Sequence, residues 1–141
     1  MTDDEKWISD EALAWARANK KPFGRTLSDP KRYPGEEDPV SVFMAGSPGA
    51  GKTEVSKALA NELGDGFLRI DPDEFRSALP GYNGTNSWLF QGAVSVLLGK
   101  VLDFAFDQKQ SFLLDGTLSN LKTVTENVER ALSKGRKILL L

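Results

Sequence analysis

Gly46-Ser47-Pro48-Gly49-Ala50-Gly51-Lys52-Thr53 has the form G-x-x-x-x-G-K-T, the spacing of a phosphate-binding P-loop. Its glycines let successive backbone N–H groups turn inward into a concave nest for phosphate oxygens. Lys52 is placed for the β- and γ-phosphates of a nucleotide, and the Thr53 hydroxyl for Mg²⁺. The flanks fit that reading. Val40-Ser41-Val42-Phe43-Met44 before the motif reads as a buried strand. Glu54 to Leu63 after it reads as a helix, with Val55, Ala58, Leu59 and Leu63 as its apolar positions and Gly64 as its stop. Strand, loop and helix together put the phosphate on a helix N-terminus. The bland alternative is a glycine-rich turn between two core elements.

Strand-like and helix-like runs alternate beyond this unit. Phe67 to Ile70 reads as a second strand, Ser111 to Leu114 as a third and Lys137 to Leu141 as a fourth. A long apolar helix is expected over about Ser87 to Asp107. A second is expected over Asn120 to Lys134, with Leu121, Val124, Val128, Ala131 and Leu132 on one face and Gly135 after it. This alternation predicts an α/β fold, a parallel sheet covered by helices on both faces. Upstream, Ser9 to Lys20 reads as a helix capped by Ser9, with Ala12, Leu13, Trp15 and Ala16 on its apolar face. Four prolines between Lys21 and Pro39 predict an irregular connection. The expected division is therefore an N-terminal helical extension with its linker, 1–39, and a P-loop kinase core, 40–141.

Composition narrows the chemistry. The chain has 141 residues, enough for one domain with a real core. A formal net charge of −2 argues against non-specific nucleic-acid binding. There is no cysteine, which removes disulfides and thiolate metal sites, and no histidine, which removes Ser–His and Cys–His nucleophiles. Any general base is then Asp, Glu or Lys. Neither a signal-peptide run nor a bilayer-spanning stretch is read in the sequence, and a cytoplasmic protein with no membrane partner is the expectation.

In parallel sheets ligands bind beyond the carboxyl ends of the strands, so the residues there are the candidates. The second strand runs into Asp71-Pro72-Asp73-Glu74-Phe75-Arg76. Pro72 suits a first helical position and makes Asp71 an N-cap. Asp73 then faces the ligand side, where a carboxylate can take the proton of an attacking hydroxyl and align it with a γ-phosphate. A first-turn acid also complements a helix dipole without any catalytic part. The third strand runs into Asp115-Gly116-Thr117. An acid ending an apolar strand beside a P-loop strand has the Walker B form that supports Mg²⁺. Thr117 offers a hydroxyl to phosphate or substrate. The loop Leu79 to Trp88 carries glycines, amides and aromatics suited either to covering an acceptor or to an ordinary surface turn.

Met44 to Thr53, Ile70-Asp71-Pro72-Asp73-Glu74-Phe75 and Leu114-Asp115-Gly116-Thr117 together resemble the zeta toxins, P-loop kinases of bacterial toxin–antitoxin systems. The resemblance covers about Val40 to Leu141 and implies a nucleoside-kinase-like fold. It implies ATP- and Mg²⁺-dependent phosphorylation of a UDP-activated amino sugar, typically UDP-N-acetylglucosamine at its 3′-hydroxyl, and an antitoxin protein as partner. It implies nucleotide binding by Gly46 to Thr53 with Lys52 on the ATP phosphates, Asp73 as base toward the sugar, and Asp115 and Thr117 at the substrate. Two departures stand out. The family usually has Glu at the position of Asp115 and often Arg at that of Ser119. Its members also continue into a further strand and an arginine-bearing lid, so the resemblance implies a C-terminally shortened chain. A kinase of another small-molecule or nucleic-acid hydroxyl, and an ATP- or partner-binding fragment with impaired catalysis, remain the alternatives. No Asn-Lys-x-Asp guanine-reading motif follows the P-loop, which disfavours a GTPase.

Overall fold

The computed structural model describes residues 1–46, 52–64, 66–117 and 121–141. Four strands, β1 (Val40–Gly46), β2 (Leu68–Ile70), β3 (Phe112–Thr117) and β4 (Lys137–Leu140), form one sheet in the order β2-β3-β1-β4. Every pairing is parallel, as the alternating pattern predicted. Among the described residues α1 (Asp3–Leu27) precedes the sheet, and α2 (Lys52–Leu63), α3 (Gln91–Asp107) and α4 (Leu121–Ser133) lie between its strands. Short 3-10 helices cover Pro72–Ala78 and Ser87–Phe90.

The two faces of the sheet bury different sets of side chains, because successive strand residues alternate. On one face Val42, Met44 and Leu113 pack with Leu59 and Leu63 of α2. On the other, Phe43, Phe112, Leu114, Leu68 and Ile70 join the main core with α1, α3 and α4. Helices on both faces are thus present. Gly64 ends α2 with φ +91°, the left-handed turn that favours glycine at that position.

Several local expectations shift. The first helix starts six residues before Ser9 and is capped by Thr2, whose hydroxyl accepts from the Glu5 N–H at 3.1 Å while Glu5 Oε1 accepts from the Thr2 N–H at 2.9 Å. It then runs through Pro22 into the stretch expected to be irregular. Proline costs a helix one backbone hydrogen bond. Here packing outweighs that cost: Ala12 and Ala16 are fully buried, and Gly24 lies so close to Phe104 that a Cβ there would come within 2.8 Å of the ring. In α4, Val124 and Ala131 face the core as expected, but Leu121 and Leu132 are exposed and Asn127 turns inward. Ala58 of α2 is likewise exposed. Ser87–Asp107 is, by length and composition, apolar enough to cross a bilayer, contrary to the sequence reading. Its apolar side chains are the centre of the core, with Leu97, Val101, Leu102 and Ala105 fully buried.

The segment after α1 is strapped down by polar contacts. Gln110, fully buried, donates from Nε2 to the Ser28 carbonyl at 2.7 Å and to the Tyr33 carbonyl at 2.8 Å. Ser111 Oγ donates to Glu36 at 2.7 Å and accepts from the Val40 N–H at 3.0 Å. Gln110→Ala removes both donations made by this fully buried amide, and such a loss costs about 1–3 kcal/mol. Urea unfolding is expected to show a loss in that range; a loss below about 0.5 kcal/mol, the scale of a surface change, would mean that the strap contributes nothing.

Candidate active site

The carboxyl ends of β1, β2 and β3 and the start of α2 converge at one end of the sheet. From β1 the chain crosses past β3 to β2, and from β3 it crosses past β1 to β4, so the connections after these two neighbouring strands run in opposite directions. That is where open parallel sheets bind ligands. Ser47, Pro48, Gly49, Ala50 and Gly51 lie outside the described residues, as do the side chains of Lys52, Thr53 and Thr117. Backbone positions still place the motif: β1 ends at Gly46, α2 begins at Lys52, and Gly46 sits opposite Thr117 in the ladder.

Asp71 caps the 3-10 helix Pro72–Ala78, as Pro72 led one to expect. Its Oδ1 accepts from the Asp73 N–H at 3.0 Å. Burial pushes the Asp71 carboxyl above its ordinary pKa, opposed by that Asp73 N–H and by the charge of Arg69. Asp73 itself is more open, its side chain 38% exposed, and it pairs through Oδ1 with Arg76 Nη2 at 3.2 Å. Half-open is what a base toward a diffusible acceptor requires. Arg76 is mostly buried, and its Nε has no hydrogen-bond partner among the described residues.

Asp115 is fully buried within β3, which continues past the expected end at Leu114 to Thr117. Leu113 shares its face and packs toward α2, so the carboxylate lies on the side of the sheet that the P-loop helix covers. Sequence reasoning missed its neighbour. Arg69, on β2, donates from Nη2 to Asp115 Oδ2 at 3.1 Å and to Asp71 Oδ2 at 3.2 Å, and from Nη1 to Glu74 Oε1 at 3.0 Å. The only signal in the sequence was an arginine in an otherwise apolar strand, two residues before Asp71. One hydroxyl, one carboxylate and phosphate oxygens form a hard-oxygen donor set, which suits Mg²⁺. Thr53 and Asp115 are the residues the sequence reading assigns to it, and of these Asp115 faces Arg69. Trp88, at the end of the candidate acceptor loop, is exposed and not tucked into the core.

Residues 24–141 match the model of the zeta toxin family. The chain belongs to the zeta toxin family. Its fold is shared with a solved structure from a study of the PezAT chromosomal toxin–antitoxin system of Streptococcus pneumoniae. That similarity has a TM-score of 0.70 at 20% identity, over 99% of this zeta-family chain and 56% of the other. Shorter similarities reach ATP-dependent proteins. The ATP-dependent zinc metalloprotease FtsH 1 of Alkaliphilus metalliredigens is 35% identical over 68 residues, 47% of this chain and 12% of that protein. ATPase family gene 2 protein homolog B of Bos taurus is 38% identical over 63 residues, 40% of this chain and 8% of that protein. The zeta-family chain therefore spans little more than half of the solved neighbour and about a tenth of these curated relatives. The fold and family are those of a P-loop kinase-like toxin.

Proposed function

We propose that this chain is an ATP-dependent phosphotransferase acting on a UDP-activated amino sugar, UDP-N-acetylglucosamine at its 3′-hydroxyl being the substrate the family resemblance favours. The observation that carries the proposal is the placement of a half-open Asp73 and a buried Asp115 near the ends of adjacent parallel strands, beside the start of the P-loop helix, in a chain matching the zeta toxin family.

In this reading Gly46 to Thr53 cradle the ATP phosphates and Lys52 neutralises the β- and γ-oxygens. Asp73 accepts the proton of the sugar hydroxyl as its oxygen bonds to the γ-phosphorus, and the bond from that phosphorus to the β,γ-bridging oxygen breaks to release ADP. Mg²⁺, when bound, supplies charge neutralisation across the β- and γ-phosphates. Thr117 and Asp115 orient the acceptor side. Residues 40–141 carry this chemistry, and residues 1–39 brace it from behind: Phe23 of α1 stands edge-on to Phe75, two residues from Asp73, with centroids 5.0 Å apart. An antitoxin protein as partner and a cytoplasmic location belong to the same proposal.

The test is transfer of labelled γ-phosphate to UDP-N-acetylglucosamine, alongside calorimetric ATP binding. Lys52→Ala is expected to weaken ATP at least about tenfold, or 1.4 kcal/mol. Unchanged affinity in that variant would move the nucleotide elsewhere. Label appearing only on another hydroxyl would change the acceptor, and tight ATP binding without transfer would favour the impaired-fragment reading.

A further inference from the structure

The guanidinium of Arg69, on β2, reaches Asp115 on β3 and so joins two of the site's strands. Its side chain is only 16% exposed, and a single nitrogen, Nη2, stands within 3.2 Å of both Asp71 and Asp115. Asp71 and Asp115 are both buried. Two carboxylates drawn to one point repel each other unless a cation lies between them, and removing that cation takes away a charge that offsets both. The third contact, Nη1 to Glu74, lands on the 3-10 helix Pro72–Ala78 itself. Asp71 caps that helix through the N–H of Asp73. A chain of contacts therefore runs from Asp115 through Arg69 to Asp71 and on to the backbone of Asp73.

We propose that Arg69 is a positioning residue: it fixes the strand end and the 3-10 helix that present Asp73, holding them in register with Asp115 on the neighbouring strand. The inference rests on the proposed phosphotransfer reading for its kinetic consequence, but not for its structural one. Only a guanidinium fits the role. Its planar fork addresses several carboxylates along fixed directions, whereas a lysine is a single point charge. A base displaced by about 1 Å loses on the order of 10²-fold in rate, which is the size of effect that lost positioning produces.

The experiment compares wild type, Arg69→Met and Arg69→Lys by transfer kinetics and by amide hydrogen exchange. Arg69→Met is expected to lower kcat by roughly 30- to 100-fold, with KM for ATP within about threefold, since the nucleotide is held elsewhere. Exchange should quicken over residues 71–79 while α3 keeps wild-type protection. Arg69→Lys should restore the fold and recover only part of the rate. Should Arg69→Met fail to fold, Arg69→Lys decides: a several-fold loss in kcat with local exchange supports positioning, and wild-type behaviour in both overturns it. Loss of protection throughout α3 and the sheet in a folded variant would make Arg69 a general stabiliser and also overturn it. If wild type shows no transfer, the phosphotransfer reading fails separately. Exchange then judges Arg69 alone, with faster exchange confined to 71–79 in its favour and unchanged exchange against it.

Discussion

Asp73→Asn is expected to lower phosphoryl transfer by about 10²–10⁴-fold while leaving ATP affinity within about twofold, the range assigned to a positioned general base. The split follows from geometry. Asp73 sits on the 3-10 helix after β2, and the nucleotide contacts are assigned to the turn after β1. The substituted amide keeps the shape of the carboxylate, the backbone N–H that Asp71 accepts and an oxygen for Arg76, so the change removes a charge but not the cap. What it loses is the ability to take a proton in the transition state, a contribution made to the acceptor and not to ATP. Single-turnover transfer with saturating ATP is the measurement. Near-normal turnover would reduce Asp73 to the partner of Arg76 at 3.2 Å and a complement to a helix terminus.

Phe112→Ala is the change expected to damage the fold most. Phe112 is fully buried at the start of β3, edge-on to Phe43 at 5.6 Å and to Phe106 at 5.5 Å, with the Arg136 guanidinium 5.5 Å from its ring. Deleting a buried aromatic ring costs about 3–5 kcal/mol, in transfer free energy and in the cavity left behind. Against a typical total of about 5–15 kcal/mol, that is a large share of the stability. Leu139→Ala is the matched control. Leu139 lies on β4 and is 43% exposed, and its removal is expected to cost well under half as much. Equal urea midpoints for the two variants would contradict the core described here.

The parts of this fold that were legible in the sequence are those written in adjacent residues. The apolar run ending at Ile70 marked the end of β2, and Pro72 marked Asp71 as a cap, because each signal acts within a few positions; β1 and β3 run past their apolar stretches to Gly46 and Thr117. The strand order was not legible, since no local feature says that β3 inserts between β1 and β2. Arg69 stayed hidden for the same reason. Asp71 is two residues away, but Asp115 is 46 away and becomes a neighbour only once the β2–β3 register exists. Local rules misled at Pro22, where they predicted a stop that burial of α1 against α3 overrides. They misled again in α4. There the helical spacing put Leu121 and Leu132 on the apolar face, whereas both are exposed and Asn127 faces inward, donating from its amide to the Thr123 carbonyl at 2.8 Å.

The strand order also dictates when the site can exist. β1 pairs only with β3 and β4, both of which are later in the chain. The Val40 N–H finds its Ser111 partner 71 residues downstream. A growing polypeptide that has emerged only as far as α3 holds the complete P-loop sequence, but it has no ladder to anchor the strand before it and no Asp115 beside it. Contacts at such separation form late, because chain closure must precede any gain from them. The P-loop sequence is thus made before either of the strands that frame the strand leading into it.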